Sequence, residues 1–170
     1  MAAVTTIPLG VYLRTSYRPD CDYVSGELQE RNVGEIEHAR VAAAIVIWFY
    51  QHRQEWNLEA LPEVRVQVSE DRFRVADVCV VTREHRDTQV IRHVPVAIIE
   101  ILSPEDRISK YQERLADYRR MGVPNIWLID PQGRRGYDCS TGNWIETVSF
   151  QVTGTSIGLD LSLLLAELDV

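Results

Sequence analysis

Two runs that are apolar on both faces, Val94 to Leu102 and Asn125 to Ile129, stand on either side of a stretch with helical periodicity, and they constrain the fold of this chain more than any other feature. A strand of that kind is covered on both sides, as in the interior of a sheet. Between the runs, Ser103-Pro104-Glu105-Asp106 has the order of a helix start, with serine as N-cap, proline at the first helical position and acids in the first turn. Periodicity carries that helix to about Met121, and Gly122 stops it. Strand, helix and strand at this spacing predict a parallel, right-handed unit.

The rest of the chain adds elements around that unit. Val11 to Arg14 and then Tyr23-Val24-Ser25-Gly26-Glu27-Leu28 read as short strand material around a glycine-centred turn, an N-terminal hairpin or arm. From Gly34 to about Gln54, Ile36, Ala39, Ala42, Ala43, Val46, Phe49 and Tyr50 recur at helical spacing, which makes this the longest helix. Pro62 ends any helical continuation; Val64, Val66 and Val68 then alternate with polar residues as a half-buried strand, and Phe73 to Val81 follows a turn as a second. Residues 82–93 read as charged loop, Arg135 to Cys139 and Trp144 to Val148 as a hairpin, and Leu159 to Leu168 as a short closing helix or turn.

Composition narrows the class. The chain has 170 residues, in the range of roughly 100–200 typical of one domain, and no repeat or low-complexity tract. The expectation is one domain over 1–170: an N-terminal arm or hairpin (1–33), a core (34–150) and a closing segment (151–170). The longest apolar run, Val41 to Tyr50, is about half of the roughly 20 residues a membrane helix needs. Nothing in the sequence resembles an export signal, so a cytoplasmic protein without a membrane partner is expected. Cys21, Cys79 and Cys139 are far apart and form neither a disulfide framework nor a zinc motif. A net charge of −7 excludes a surface that grips nucleic acid all over, since such binding works by neutralising phosphates; any DNA contact needs a local basic patch or a metal.

Two acids stand where acids are costly. Asp77 opens the run Asp77-Val78-Cys79-Val80-Val81, and Glu100 interrupts Val96-Ala97-Ile98-Ile99-Glu100-Ile101-Leu102. A buried carboxylate costs several kcal/mol unless it is paired, protonated or bound to a cation. Each taken alone is as readily a turn cap or half of a structural ion pair. Taken together, hard oxygen ligands from neighbouring strands suit Mg²⁺, which takes one or two carboxylates, several waters and a substrate phosphate. On the following helix Lys110 and Arg114 share one stripe, while Tyr111, Leu115 and Tyr118 form the stripe that packs on the sheet. For Lys110 the plain alternative is an ordinary solvated face. Glu35 and Glu37 begin the long helix, where acids suit the helix dipole.

The stretch Glu100-Ile101-Leu102-Ser103-Pro104, with Tyr118-Arg119-Arg120-Met121-Gly122-Val123-Pro124-Asn125-Ile126-Trp127-Leu128-Ile129-Asp130-Pro131, resembles the Uma-type putative restriction endonuclease family of the PD-(D/E)XK nuclease superfamily. Asp22-Tyr23-Val24-Ser25-Gly26-Glu27-Leu28, His38 and Ala76-Asp77-Val78 stand in the corresponding upstream places, so the resemblance runs from about Asp20 to Trp144. It implies an α/β (α+β) restriction-endonuclease-like fold: a mixed sheet flanked by a long N-terminal helix and a crossover helix. It also implies Asp77 and Glu100 as metal ligands and catalytic acids, with the Ile101 backbone carbonyl as a further ligand and Glu37, at the head of the long helix, as a candidate third carboxylate ligand. Leu102 stands where the motif's lysine would be, and Arg114 where the family carries a later lysine on the helix. Arginine stabilises phosphate charge but does not serve as a base, so Lys110 is the alternative cation.

The resulting expectation is an endonuclease that hydrolyses DNA with Mg²⁺ (Mn²⁺ as substitute), with Asp77, Glu100, Lys110 and Arg114 at its centre and a homodimer as a family-level expectation. The rival from another class is a catalytically inactive nuclease-fold module for nucleic-acid binding or assembly, favoured by the missing lysine. A third reading, a ligand-binding protein whose buried acids pair with arginines, needs Asp77 and Glu100 to point away from each other.

Overall fold

The structure is a computed structural model and describes residues 6–31, 35–85, 87–104 and 108–168. The two doubly apolar runs are interior strands of an eight-stranded mixed sheet. β5 (Ala97–Ile101) and β6 (Ile126–Asp130) lie side by side and parallel, with Glu100 opposite Leu128, and every residue of β5 is buried. The helix between them, α4, spans Ile108–Met121, and Gly122 ends it at φ 93°, a conformation in which a side chain is disfavoured. The expected helix start falls partly on residues 105–107, outside the described residues.

The N-terminal segment departs from its reading. Val11 to Arg14 is helical, within α1 (Leu9–Arg14), and not a strand. Leu9, Tyr12 and Leu13 have i, i+3, i+4 spacing, too short a run to reveal a period. The helix turns them onto one side, where Tyr12 stacks on Tyr23 at 4.9 Å and donates its hydroxyl to the Cys21 carbonyl at 2.9 Å. The hairpin is as expected: β1 (Cys21–Val24) and β2 (Glu27–Glu30) join through Ser25 and Gly26, both at positive φ, as a two-residue primed turn requires. The hairpin belongs to the main sheet, because β1 pairs with β4.

The long helix is α2 (Ile36–Gln51), followed by the single turn α3 (Arg53–Trp56). The next strand begins earlier than the sequence indicated: β3 spans Leu58–Ser69 and contains Pro62. It is an edge strand pairing with β4 (Arg72–Thr82), so the missing proline N–H interrupts no central ladder. The chain closes with β7 (Arg135–Asp138), β8 (Ile145–Glu146), a separate pair β9 (Ser149–Gln151) and β10 (Gly158–Asp160), and α5 (Leu161–Leu168). Phe150, Leu159, Leu161 and Leu164 pack with Val41, Ile45 and Phe49 of α2, so residues after 150 complete the core.

Two apolar layers sandwich the sheet. Val78, Val80, Ile99 and Ile101 face α2 and α5; Cys79, Val81, Ile98 and Leu128 face Leu115 and Tyr118 of α4. Each fully buried aliphatic side chain contributes about 1.5–3 kcal/mol to that sandwich. Ala76, although three residues from Cys79, belongs to the same α4-facing layer. The pleat therefore changes phase between them. The β3–β4 ladder pairs Pro62 with Val78 and Val64 with Ala76 but passes over Glu63 and Asp77 between them, and Glu63 is at φ 49°.

Candidate metal and phosphate site

The break in phase coincides with a gap along one edge of β4. β3 lines the other edge, so β1 and β5 share this one in succession: the β1 pairing reaches no further along β4 than Tyr23 opposite Phe73, and β5 begins pairing where Ile99 meets Val78. Across the gap, side chains take the place of a strand. Asp22 Oδ1 accepts the Val75 N–H at 2.8 Å, and Arg114 Nη1 donates to the Val75 carbonyl at 3.0 Å. Backbone groups left buried without a partner would cost free energy, so these two residues are needed to hold the notch open.

Asp77 and Glu100 stand at the bottom of the notch, 1% and 0% exposed. Asp77 Oδ2 accepts the Ile101 N–H at 2.8 Å and lies 3.3 Å from His38 Nε2, while Oδ1 pairs with Arg31. Burial alone would raise the Asp77 pKa, but the His38 hydrogen bond and the Arg31 charge outweigh it and hold the group well below the usual carboxylate range. Glu100 has the opposite balance. The Tyr118 hydroxyl donates to Oε1 at 2.6 Å and Arg114 Nη1 is 3.6 Å from it, but the buried Oε2 has no hydrogen-bond partner. Desolvation prevails over the arginines and, with the Asp77 charge, pushes the pKa to about 8.

The expected site residues fall into distinct places. Arg114 is half-buried at the cavity wall and bridges Glu100, Asp22 (3.1 Å) and the Val75 carbonyl, so it positions them. Those anions outweigh burial and raise its pKa well above the ordinary value, so it stays protonated. Lys110 is exposed, lines the same cavity and makes no ion pair with a described residue. The Ile101 carbonyl accepts the Tyr111 hydroxyl at 2.9 Å, which leaves one lone pair on that oxygen. Glu35 and Glu37 are exposed and line no part of the cavity; His38 is what α2 brings to Asp77.

The cavity measures about 970 Å³. It is lined by His38, Ala39, Ala42, Ala43 and Val46 of α2 and by Arg31, Asp77, Lys110 and Arg114. Asp22, Arg74 and Glu113 also line it and belong to an ionic lattice that the sequence did not reveal. Arg74, 2% exposed, pairs with Asp22 at 3.0 Å and with Asp117 at 2.6 Å, and Arg72 reaches Asp117 at 3.4 Å. Its signal was present: arginines two apart on a strand face acids four apart on a helix.

The donor set fits a divalent cation. Glu100 Oε2 is a buried carboxylate oxygen lacking any donor, next to a second carboxylate and a carbonyl with a spare lone pair. Hard oxygen donors of this kind suit Mg²⁺ or Mn²⁺, with the remaining positions taken by water and phosphate from the cavity side.

Mixed sheet, crossover helix and acid-lined notch together define a nuclease-like α/β fold. The family model Uma2, described as putative restriction endonuclease, matches residues 12–165, and the chain belongs to that family. Its fold is shared by a crystal structure of a putative nuclease belonging to DUF820 from Anabaena variabilis, with a TM-score of 0.79 and 20% identity, over 94% of this chain and 98% of that one. A search of curated proteins gives no match. Among the described residues no helix is long and apolar enough to cross a membrane.

Proposed function

We propose that the chain is a divalent-metal-dependent endonuclease that hydrolyses DNA phosphodiester bonds in this cavity. The observation that carries the reading is the buried Glu100 Oε2, without a hydrogen-bond partner among the described residues, in a carboxylate that feels the charge of Asp77, which lines the cavity together with Lys110. Asp77, Glu100 and the Ile101 carbonyl would hold Mg²⁺ or Mn²⁺. The ion would polarise the phosphodiester and lower the cost of charge on the leaving oxygen.

The chain's own residues do the rest. Asp77 is kept ionised by His38 and the Ile101 N–H, so it presents negative charge at any physiological pH. Arg114 holds Glu100 and Asp22 in place. Lys110 meets the phosphate from the solvent side, as a point charge on a flexible stem. Arg31 must leave Asp77 Oδ1 when a cation arrives, and its guanidinium is then free for a phosphate oxygen. A cytoplasmic setting and a pair of copies to cut both strands complete the reading.

The test is cleavage of supercoiled plasmid and of single-stranded DNA with Mg²⁺ or Mn²⁺, comparing the parent with Asp77→Ala and Lys110→Ala. Cleavage lost in Asp77→Ala supports the nuclease; cleavage by that variant at the parental rate overturns the assignment. The second reading, an inactive module that binds nucleic acid, draws on Leu102 in place of the motif's lysine and on guanidinium groups at both carboxylates. Calorimetry separates the two, since the inactive module would bind no Mn²⁺ at millimolar concentration.

A further inference from the structure

Away from the notch, the loop after β4 gathers a second group of metal-ligating side chains. One ring nitrogen each of His85 and His93 and one carboxylate oxygen of Asp87 lie within 4.8 Å of one another. The loop is held for this: Ile91 exchanges backbone hydrogen bonds with Arg65 and Gln67 of β3, and Asp87 Oδ2 accepts the Arg92 N–H at 2.9 Å. The imidazoles stack at 5.1 Å between centroids, 25° from parallel.

The hydrogen bonds fix what each ring offers. His85 Nε2 faces Glu59 Oε1 at 3.0 Å, and His93 Nδ1 faces Asp87 Oδ2 at 2.6 Å. An ionised carboxylate only accepts, so each of these nitrogens carries the proton. In the neutral rings that leaves a lone pair on His85 Nδ1 and another on His93 Nε2. Both atoms are buried and neither has a hydrogen-bond partner among the described residues. Two ion pairs account for one nitrogen of each ring and leave the other two unmatched, at about 1–3 kcal/mol for each unsatisfied buried group. Protonating both rings would satisfy neither nitrogen and would set two like charges face to face. A Lewis acid satisfies both.

We propose that His85 Nδ1 and His93 Nε2 hold a second metal site, for a nitrogen-preferring divalent transition ion of the zinc type, with Glu59 orienting His85 and Asp87 orienting His93 from behind. Imidazole nitrogen selects Zn²⁺ or its neighbours over Mg²⁺, so the site is chemically distinct from the all-oxygen set at Asp77 and Glu100. A carboxylate behind a ligating histidine is the usual outer-shell partner of such sites. The bound ion clips the connection between β4 and β5 to β3.

The test is calorimetric titration of the full chain with Zn²⁺, and with Co²⁺ followed by visible absorption, on the parent, His85→Gln, His93→Gln, Glu59→Gln and Asp77→Asn. The expected result is one equivalent bound by the parent and by Asp77→Asn, with the Co²⁺ spectrum of nitrogen ligation and a zinc-dependent rise in Tm. Affinity should fall by more than about 100-fold in both histidine variants and by about 10–100-fold in Glu59→Gln. Absence of Zn²⁺ binding by the parent, parental affinity in a histidine variant that keeps its circular dichroism, or loss of binding in Asp77→Asn would each overturn the proposal.

Discussion

The Tyr118 hydroxyl, 2.6 Å from Glu100 Oε1, is the closest donor to a carboxylate whose other oxygen has none. Tyr118→Phe leaves both oxygens without a hydrogen bond at nearly unchanged volume. The expected cost is about 1–3 kcal/mol of unfolding free energy at neutral pH, read by urea denaturation. A variant as stable as the parent would show that Glu100 does not draw on this hydroxyl.

The two carboxylates predict opposite pH effects on the metal-free protein. Folding raises the Glu100 pKa from 4.5 to about 8, so its contribution is fully present below pH 4.5 and is lost as pH rises towards 8. Folding lowers the Asp77 pKa from 3.8, so its contribution is present above that pH and is lost as pH falls below it. Thermal melts in a chelating buffer should therefore give a Tm that declines between about pH 5 and pH 8. Glu100→Gln should flatten that decline; an unchanged slope would place its source elsewhere.

Arg31 competes with any cation for Asp77 Oδ1. Like charges at contact repel by about 1–4 kcal/mol, depending on the local dielectric. Arg31→Met should accordingly tighten Mn²⁺ binding by on the order of tenfold in calorimetry, while the metal-free protein loses stability. Weaker Mn²⁺ binding in the variant would mean that Arg31 assists the ion.

Gly136 permits a close approach. A Cβ there would stand 2.6 Å from Phe150 Cζ and 2.7 Å from the Thr147 carbonyl oxygen. Gly136→Ala forces apart β7 and the segment that completes the α2 face, for about 1–3 kcal/mol in chemical denaturation. A neutral result would show that the closing segment yields without cost.

The strand–helix–strand unit was legible because its signals are local: doubly apolar runs, a period on α4 and a glycine stop. Asp77 and Glu100 were legible because an acid within an apolar run conflicts with its neighbours. Asp22, Arg31 and Arg74 were not, because their roles depend on β1 and β5 sharing one edge of β4, a relation between segments more than 70 residues apart in sequence. Glu37 and His38 show the same limit at finer scale. Adjacent residues on a helix point about 100° apart, and composition favoured the acid while geometry brought in the histidine. α1 was misread because six residues hold less than two turns of evidence.

The change of pleat at Glu63 and Asp77 also determines which lesions the gene can tolerate. From Asp77 onward β4 is locked by its pairing with β5, and before it Arg72 and Arg74 must meet Glu113 and Asp117. Deleting one codon between Arg74 and Asp77 would turn both arginines towards the opposite layer, whatever residues remained. An added codon at Glu70, exposed at the tip of the hairpin, lengthens a bend in solvent. Across this hairpin, mutational drift is therefore constrained in count more tightly than in composition.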